Sequence, residues 1–144
     1  CQAPCAAYPN VFVESTGIET RLLMGALAQK YRIDGFLYYQ CAIWNSGKCI
    51  NSGPYTDWNP RSFRFYHGDG SWTCVGPAGT PLSTIRLENF RDGLEDLSYA
   101  RLLEKKIGRR VPVPKSLVDS TTKFSLNPSD LYKWRNMIAD QIEN

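Results

Sequence analysis

No run of this chain is long and apolar enough to cross a bilayer as a helix, no internal repeat or low-complexity tract is visible, and His67 is the only histidine. A helical membrane span and a repeat architecture are excluded on that basis. Imidazole-based metal chemistry has a single residue to work with. Charge of one sign is also scarce. A net charge of +3 does not argue for nucleic acid. Lys105-Lys106 and Arg109-Arg110 lack interleaved aromatics, so a solvated helix end explains them. No signal peptide is visible, and the chain opens on Cys1 rather than Met. The expectation is a piece of a longer polypeptide whose compartment is read from its cysteines.

Those cysteines are Cys1, Cys5, Cys41, Cys49 and Cys74, all in the first 74 residues and mostly in loop-like sequence. That distribution suits disulfides in an oxidising compartment, so an extracellular or secretory location is expected. The odd number leaves one thiol free or paired outside the chain. The spacings C-x3-C and C-x7-C, with one histidine, make zinc the weaker reading. Five unpaired thiols remain open. No metal and no cofactor is expected.

At 144 residues one domain is expected, and 42% hydrophobic with 22% charged residues is ordinary for a globular protein. Residues 1–17 read as loop, with Thr16-x-x-Glu19 a capping box for a helix over 18–31. Ile18, Leu22 and Ala26 face its core, with Leu23 and Leu27 as further candidates. Residues 35–44 are apolar on both faces, as in a strand covered on both sides. Residues 45–82 form a long loop rich in Gly and Pro, in which 63–66 and 72–74 flank Asp69-Gly70 as a hairpin. Long loops after a buried strand are where α/β enzymes place substrate sites.

A strand is expected over 83–88 by period-two alternation, with Ile85 and Leu87 on one side and Arg86 and Glu88 on the other. A helix over 90–107 follows, with Phe90, Leu94, Leu97, Leu103 and Ile107 as its stripe and Gly108 as its C-cap. The last helix spans 129–142, opened by Asn127 or Ser129, with Leu131, Trp134, Ile138 and Ile142 on one face. This is the α/β rhythm. Two strands cannot close a sheet, so the chain reads as the last portion of a larger α/β domain, barrel or open sheet alike.

Asp34-Gly35-Phe36-Leu37-Tyr38-Tyr39 with Trp44, then Gly68-Asp69-Gly70, then Ser83-Thr84-Ile85-Arg86-Leu87-Glu88-Asn89-Phe90-Arg91-Asp92-Gly93-Leu94-Glu95-Asp96 run in an order that resembles the C-terminal part of glycoside hydrolase family 123-like proteins. Tyr8-Pro9-Asn10 and Asn127-Pro128-Ser129-Asp130 are similar to that family as well. The resemblance implies the end of a (β/α)8 TIM-type barrel, incomplete on its own, with residues 35–42 as its seventh strand and 84–88 as its eighth. It implies a retaining β-N-acetylhexosaminidase acting on N-acetylgalactosamine, in which the substrate's acetamido oxygen attacks the anomeric carbon. An adjacent Asp-Glu pair then orients the acetamido group and supplies the acid and base. No Asp-Glu dipeptide occurs here, so that pair lies outside this chain and no catalytic residue is assigned within it. The expected partner is the remainder of the barrel or a packed neighbouring chain, with a glycan as ligand. The chain differs from many members at Tyr39, Ala42, Asp57-Trp58 and Cys74-Val75-Gly76. The alternative is a non-catalytic extracellular structural or glycan-binding protein that keeps the barrel.

Candidate substrate-binding residues are Tyr39, Trp44, Trp58, Arg86 and Glu88. Sugars present apolar C–H faces that aromatic rings can stack on, and Trp44 and Trp58 fit that role or a small loop core equally. Trp72 is expected in the core, and Tyr38 and Tyr39 are expected to face opposite ways. Glu88 could accept sugar hydroxyls and Arg86 could hold a carboxylate in place; a structural ion pair is the favoured alternative. Arg91, Asp92, Glu95 and Asp96 read as surface charges of a helix start, and His67 as a surface residue.

Overall fold

Thr16 opens the first helix, as its spacing to Glu19 predicts. The Glu19 carboxylate accepts from the Thr16 N–H at 2.9 Å and from the Asn10 N–H at 3.0 Å, so one acid serves the helix start and ties the preceding loop to it. The computed structural model describes residues 7–13, 15–39, 41–42, 68–76 and 80–144. In it α1 (Gly17–Leu22), a π-helical turn (Leu23–Leu27) and α2 (Ala28–Tyr31) run on as one helix. The helix stops at Arg32, whose φ of 56° is left-handed, and the Ile33 N–H closes the end on the Ala28 carbonyl at 3.0 Å.

Strand β1 (Thr73–Val75) pairs antiparallel with β2 (Pro81–Ser83), with Cys74 opposite Leu82. Helix α3 (Ile85–Ile107) follows at once and ends on Gly108, whose φ is 68°. The strand expected over 83–88 is therefore corrected: it stops at Ser83, and Ile85 onward is helical. The cause is Thr84, whose hydroxyl accepts from the Leu87 N–H at 3.4 Å and caps the helix. Four alternating residues do not outweigh such a start signal. The strand expected over 35–44 is also corrected. Residues 33–38 form no strand, and among the described residues of this stretch only Ala42 makes a bridge, to Ser71. Residues 63–66, the expected hairpin partner, lie outside the described residues.

Strand β3 (Val118–Ser120) and β4 (Lys123–Phe124) form a second, bulged hairpin, outside the strands expected from the sequence. Helix α4 (Pro128–Glu143) is capped by Asn127, whose side-chain oxygen accepts from the Ser129 N–H at 3.1 Å. The described residues thus hold two two-stranded antiparallel sheets and a packed set of helices, and no barrel closes among them.

The core joins Leu22, Ala26 and Leu27 to Ala100 and Leu103 of α3, and both to Val111, Leu117, Val118, Leu131, Trp134 and Ile138. The buried residues of α3 are Arg86, Gly93, Asp96, Ala100 and Leu103; of the expected stripe Leu103 is buried and Ile107 packs on the core, while Leu94 is 40% exposed, so the buried face is rotated from that stripe. Gly93 explains the rotation. A Cβ there would stand 2.7 Å from the Arg21 carbonyl oxygen and 2.9 Å from the Met24 Cβ, so only glycine lets the two helices touch. Asp96 is corrected from surface charge to buried ion-pair partner, since Arg21 and Arg135 compensate it.

Candidate functional site

The site grows around the tight turn Gly68-Asp69-Gly70-Ser71. Gly68 adopts φ 75° and Gly70 φ 76°, a region that suits glycine. A side chain at Gly68 would overlap the Arg86 guanidinium, which lies against it. The turn is held from two sides. From the segment after α2, the Tyr38 hydroxyl donates to Asp69 Oδ1 at 3.1 Å and accepts from the Gly70 N–H at 2.9 Å. From α3, buried Arg86 donates from Nη2 to the Ser71 carbonyl. Burial, the largest influence, pushes the Tyr38 phenol up to about 12; the Gly70 N–H opposes that and the Asp69 carboxylate adds to it.

Trp72 continues the same anchoring. Its N–H donates to the Cys41 carbonyl at 2.8 Å, and its carbonyl accepts from the Thr84 hydroxyl at 2.6 Å. Its buried ring meets Phe90 edge-on at 4.4 Å and Tyr38 at 5.1 Å. Thr84 therefore both caps α3 and fixes the residue after the turn. Beside these rings lies a cleft of about 300 Å³ walled by Phe36, Tyr38, Trp72 and Phe90, with Cys41 and Thr73 at its edge.

The candidate residues separate. Arg86 points under the turn. Glu88 points outward, accepting from the Ser83 hydroxyl and pairing with Arg91 Nη1 at 2.5 Å. On a strand these two would share a face, but on a helix residues i and i+2 lie about 200° apart. The helical start of α3 is what divides them. Tyr38 enters the turn network, whereas Tyr39 is 55% exposed. Leu37 is 89% exposed. Trp44, Trp58 and His67 lie outside the described residues. Trp72 is buried, as its hairpin position suggested.

Cys41 and Cys74 carry free thiols, so neither supplies the expected disulfide. Cys1, Cys5 and Cys49 lie outside the described residues. No group of three His, Cys, Asp or Glu that could hold a metal occurs among the described residues, and no helix there is long and apolar enough to cross a membrane. Asp69, Tyr38 and Asp96 hold the framework in roles the sequence does not suggest: there Asp69 reads as a turn residue, Tyr38 as the neighbour facing away from Tyr39, and Asp96 as a surface charge. For Asp69 the signal was its place between two glycines. For Asp96 there was none, because its arginine partners are remote in sequence.

Tyr38, Arg86 and Thr84 thus hold the turn and Trp72 in one hydrogen-bonded anchor beside the cleft. The family model described as "Glycoside hydrolase 123, catalytic domain" matches residues 1–103, which include α1, α2, the turn and most of α3. No curated protein matches the chain. The mixture of helices and small sheets fits an α/β glycoside hydrolase fragment. With the match spanning well over half of its length, the chain belongs to glycoside hydrolase family 123.

Proposed function

We propose that the chain is the framework portion of a glycoside hydrolase barrel that cleaves β-linked N-acetylgalactosamine with help from the substrate's own acetamido group. The observation that carries this is the exposure of apolar side chains along residues 36–39. Leu37 at 89% and Tyr39 at 55% exposed flank Tyr38, which is bound into the turn. Exposed apolar side chains of that kind are stable when further strands and a filled interior cover them. The remainder of the barrel, or a packed neighbouring chain, is the partner that would do so.

In this reading Tyr39 borders the sugar site, and Trp44 and Trp58 supply stacking platforms. Arg86 acts through the turn rather than on the substrate. The chemistry belongs to an Asp-Glu pair outside this chain. The acetamido oxygen forms a bond to the anomeric carbon as the glycosidic C–O bond breaks, and the Glu proton goes to the departing oxygen. Water then attacks the anomeric carbon, the bond from that carbon to the acetamido oxygen breaks, and a proton of the water goes to Glu, with net retention. Export to an oxidising compartment belongs to the same proposal.

The test compares an aryl N-acetyl-β-D-galactosaminide with the corresponding aryl β-D-galactoside, using the intact protein. The proposal expects release from the first and almost none from the second, which lacks the internal nucleophile. Equal release from both would overturn the substrate-assisted step. No release from either by folded protein would leave the non-catalytic glycan-binding reading in its place.

A further inference from the structure

The family match ends at Leu103, inside α3, yet the core does not. Val111, Leu117, Val118, Leu131, Trp134 and Ile138 all come from beyond it and are buried against Leu22, Ala26, Leu27, Ala100 and Leu103. The polar contacts follow the same division. Arg110 Nη2 donates to the Gln29 carbonyl at 3.1 Å and also to that of Lys30, covering carbonyls at the end of α2. Lys30 Nζ reaches the Val118 carbonyl at 2.6 Å. Glu104 binds Gln29 Nε2 at 2.6 Å and the Val111 N–H at 3.1 Å, so one carboxylate joins α2 to the segment that leaves α3.

The strongest link is charged. Asp96 on α3 is fully buried and receives Arg21 Nε at 2.7 Å from α1 and Arg135 Nε at 2.8 Å from α4. Two rings complete the crossing. The Arg21 guanidinium lies 5.2 Å from the Tyr132 ring centroid, and that of Arg135 lies 4.8 Å from the Tyr99 centroid. Each arginine thus pairs with the shared carboxylate and stacks on a ring of another helix.

We infer that residues 104–144 form a clasp that locks residues 17–31 onto α3, with Arg135 as its key, so that the working unit of the matched catalytic domain extends to the end of α4. A mere appendage would pack on the domain without being needed by it. A clasp is needed, because the Asp96 carboxylate that holds Arg21 is shared with Arg135 of α4, and Gly93, at one of the contacts between the two helices, has no side chain to hold them.

Hydrogen–deuterium exchange on the intact protein separates the two, comparing the native sequence with Arg135→Met. The clasp predicts that amides of residues 17–31 exchange at least about tenfold faster in the variant, together with those of α4. Faster exchange confined to 128–143, or no change, would overturn it. If Arg135→Met does not accumulate folded, Arg135→Lys carries the same comparison, retaining the charge while losing the Nε contact. Its exchange must rise in residues 17–31 as well as in α4 for the clasp to stand.

Discussion

Arg21 and Asp96, on separate helices, meet in a two-point ion pair, with Nε to Oδ2 at 2.7 Å and Nη2 to Oδ1 at 3.0 Å. The Asp96 side chain has no solvent exposure, and Arg135 approaches Oδ1 from a third helix. Hydrogen bonding to Asp96, more than any other influence, raises the Arg21 pKa, while burial opposes it. Removing one charge from such a cluster leaves buried guanidinium groups short of compensation. Asp96→Asn is expected to destabilise the fold by about 3 kcal/mol in urea denaturation. Asp92→Asn, whose longer 3.5 Å contact to Arg21 is partly exposed, is expected to cost less than about 1 kcal/mol.

Glu104 gives the fold an acid limb. Burial, the largest influence, would raise its pKa, but hydrogen bonds from Arg32, Gln29 and the Val111 N–H together hold it below the usual 4.5. A carboxylate depressed in the folded state adds stability above its unfolded pKa and loses it as pH falls through the folded one. Stability is therefore expected to drop as pH falls below 4.5, and Glu104→Gln to flatten that drop. Thermal melts of both proteins across the acid range check this. An unchanged acid limb in Glu104→Gln would count against the assignment.

The Tyr38 hydroxyl makes a distinct prediction. Tyr38→Phe leaves the buried Gly70 N–H and the Asp69 carboxylate without that partner, an expected cost of about 1–3 kcal/mol. The same variant is expected to remove a phenol that ionises near 12 rather than 10 in a spectrophotometric titration. Loss of an ordinary phenol step instead would show that Tyr38 is not held in the turn.

Much of this was legible in the sequence. Thr16 and Glu19 announced the first helix, Asn127 and Gly108 marked two helix ends, and Leu131, Trp134 and Ile138 gave the buried face of α4. What misled was local pattern read without the partner surface. Ile85 to Glu88 alternate like a strand, but the Thr84 cap makes them the first turn of a helix and sends Arg86 and Glu88 apart. The apolar stripe through Leu94 was plausible, but the neighbouring helix docks on Gly93 and Asp96, a glycine and a charge that no hydrophobic count selects. The turn at 68–71 was legible as a turn. Its anchoring by Tyr38 and Arg86 was not, because both partners are distant in sequence.

The central claim is that the side of the chain bearing Leu37 is the inside of a larger fold. Leu37→Cys, made in the intact protein with the native cysteines replaced by serine, tests it by the rate of thiol labelling. Lys133→Cys is the exposed reference, its native side chain being 79% exposed. The account predicts labelling at position 37 at least about tenfold slower than at 133, since covered sites react only when the structure opens. Labelling at the reference rate, with the fold intact, would contradict it.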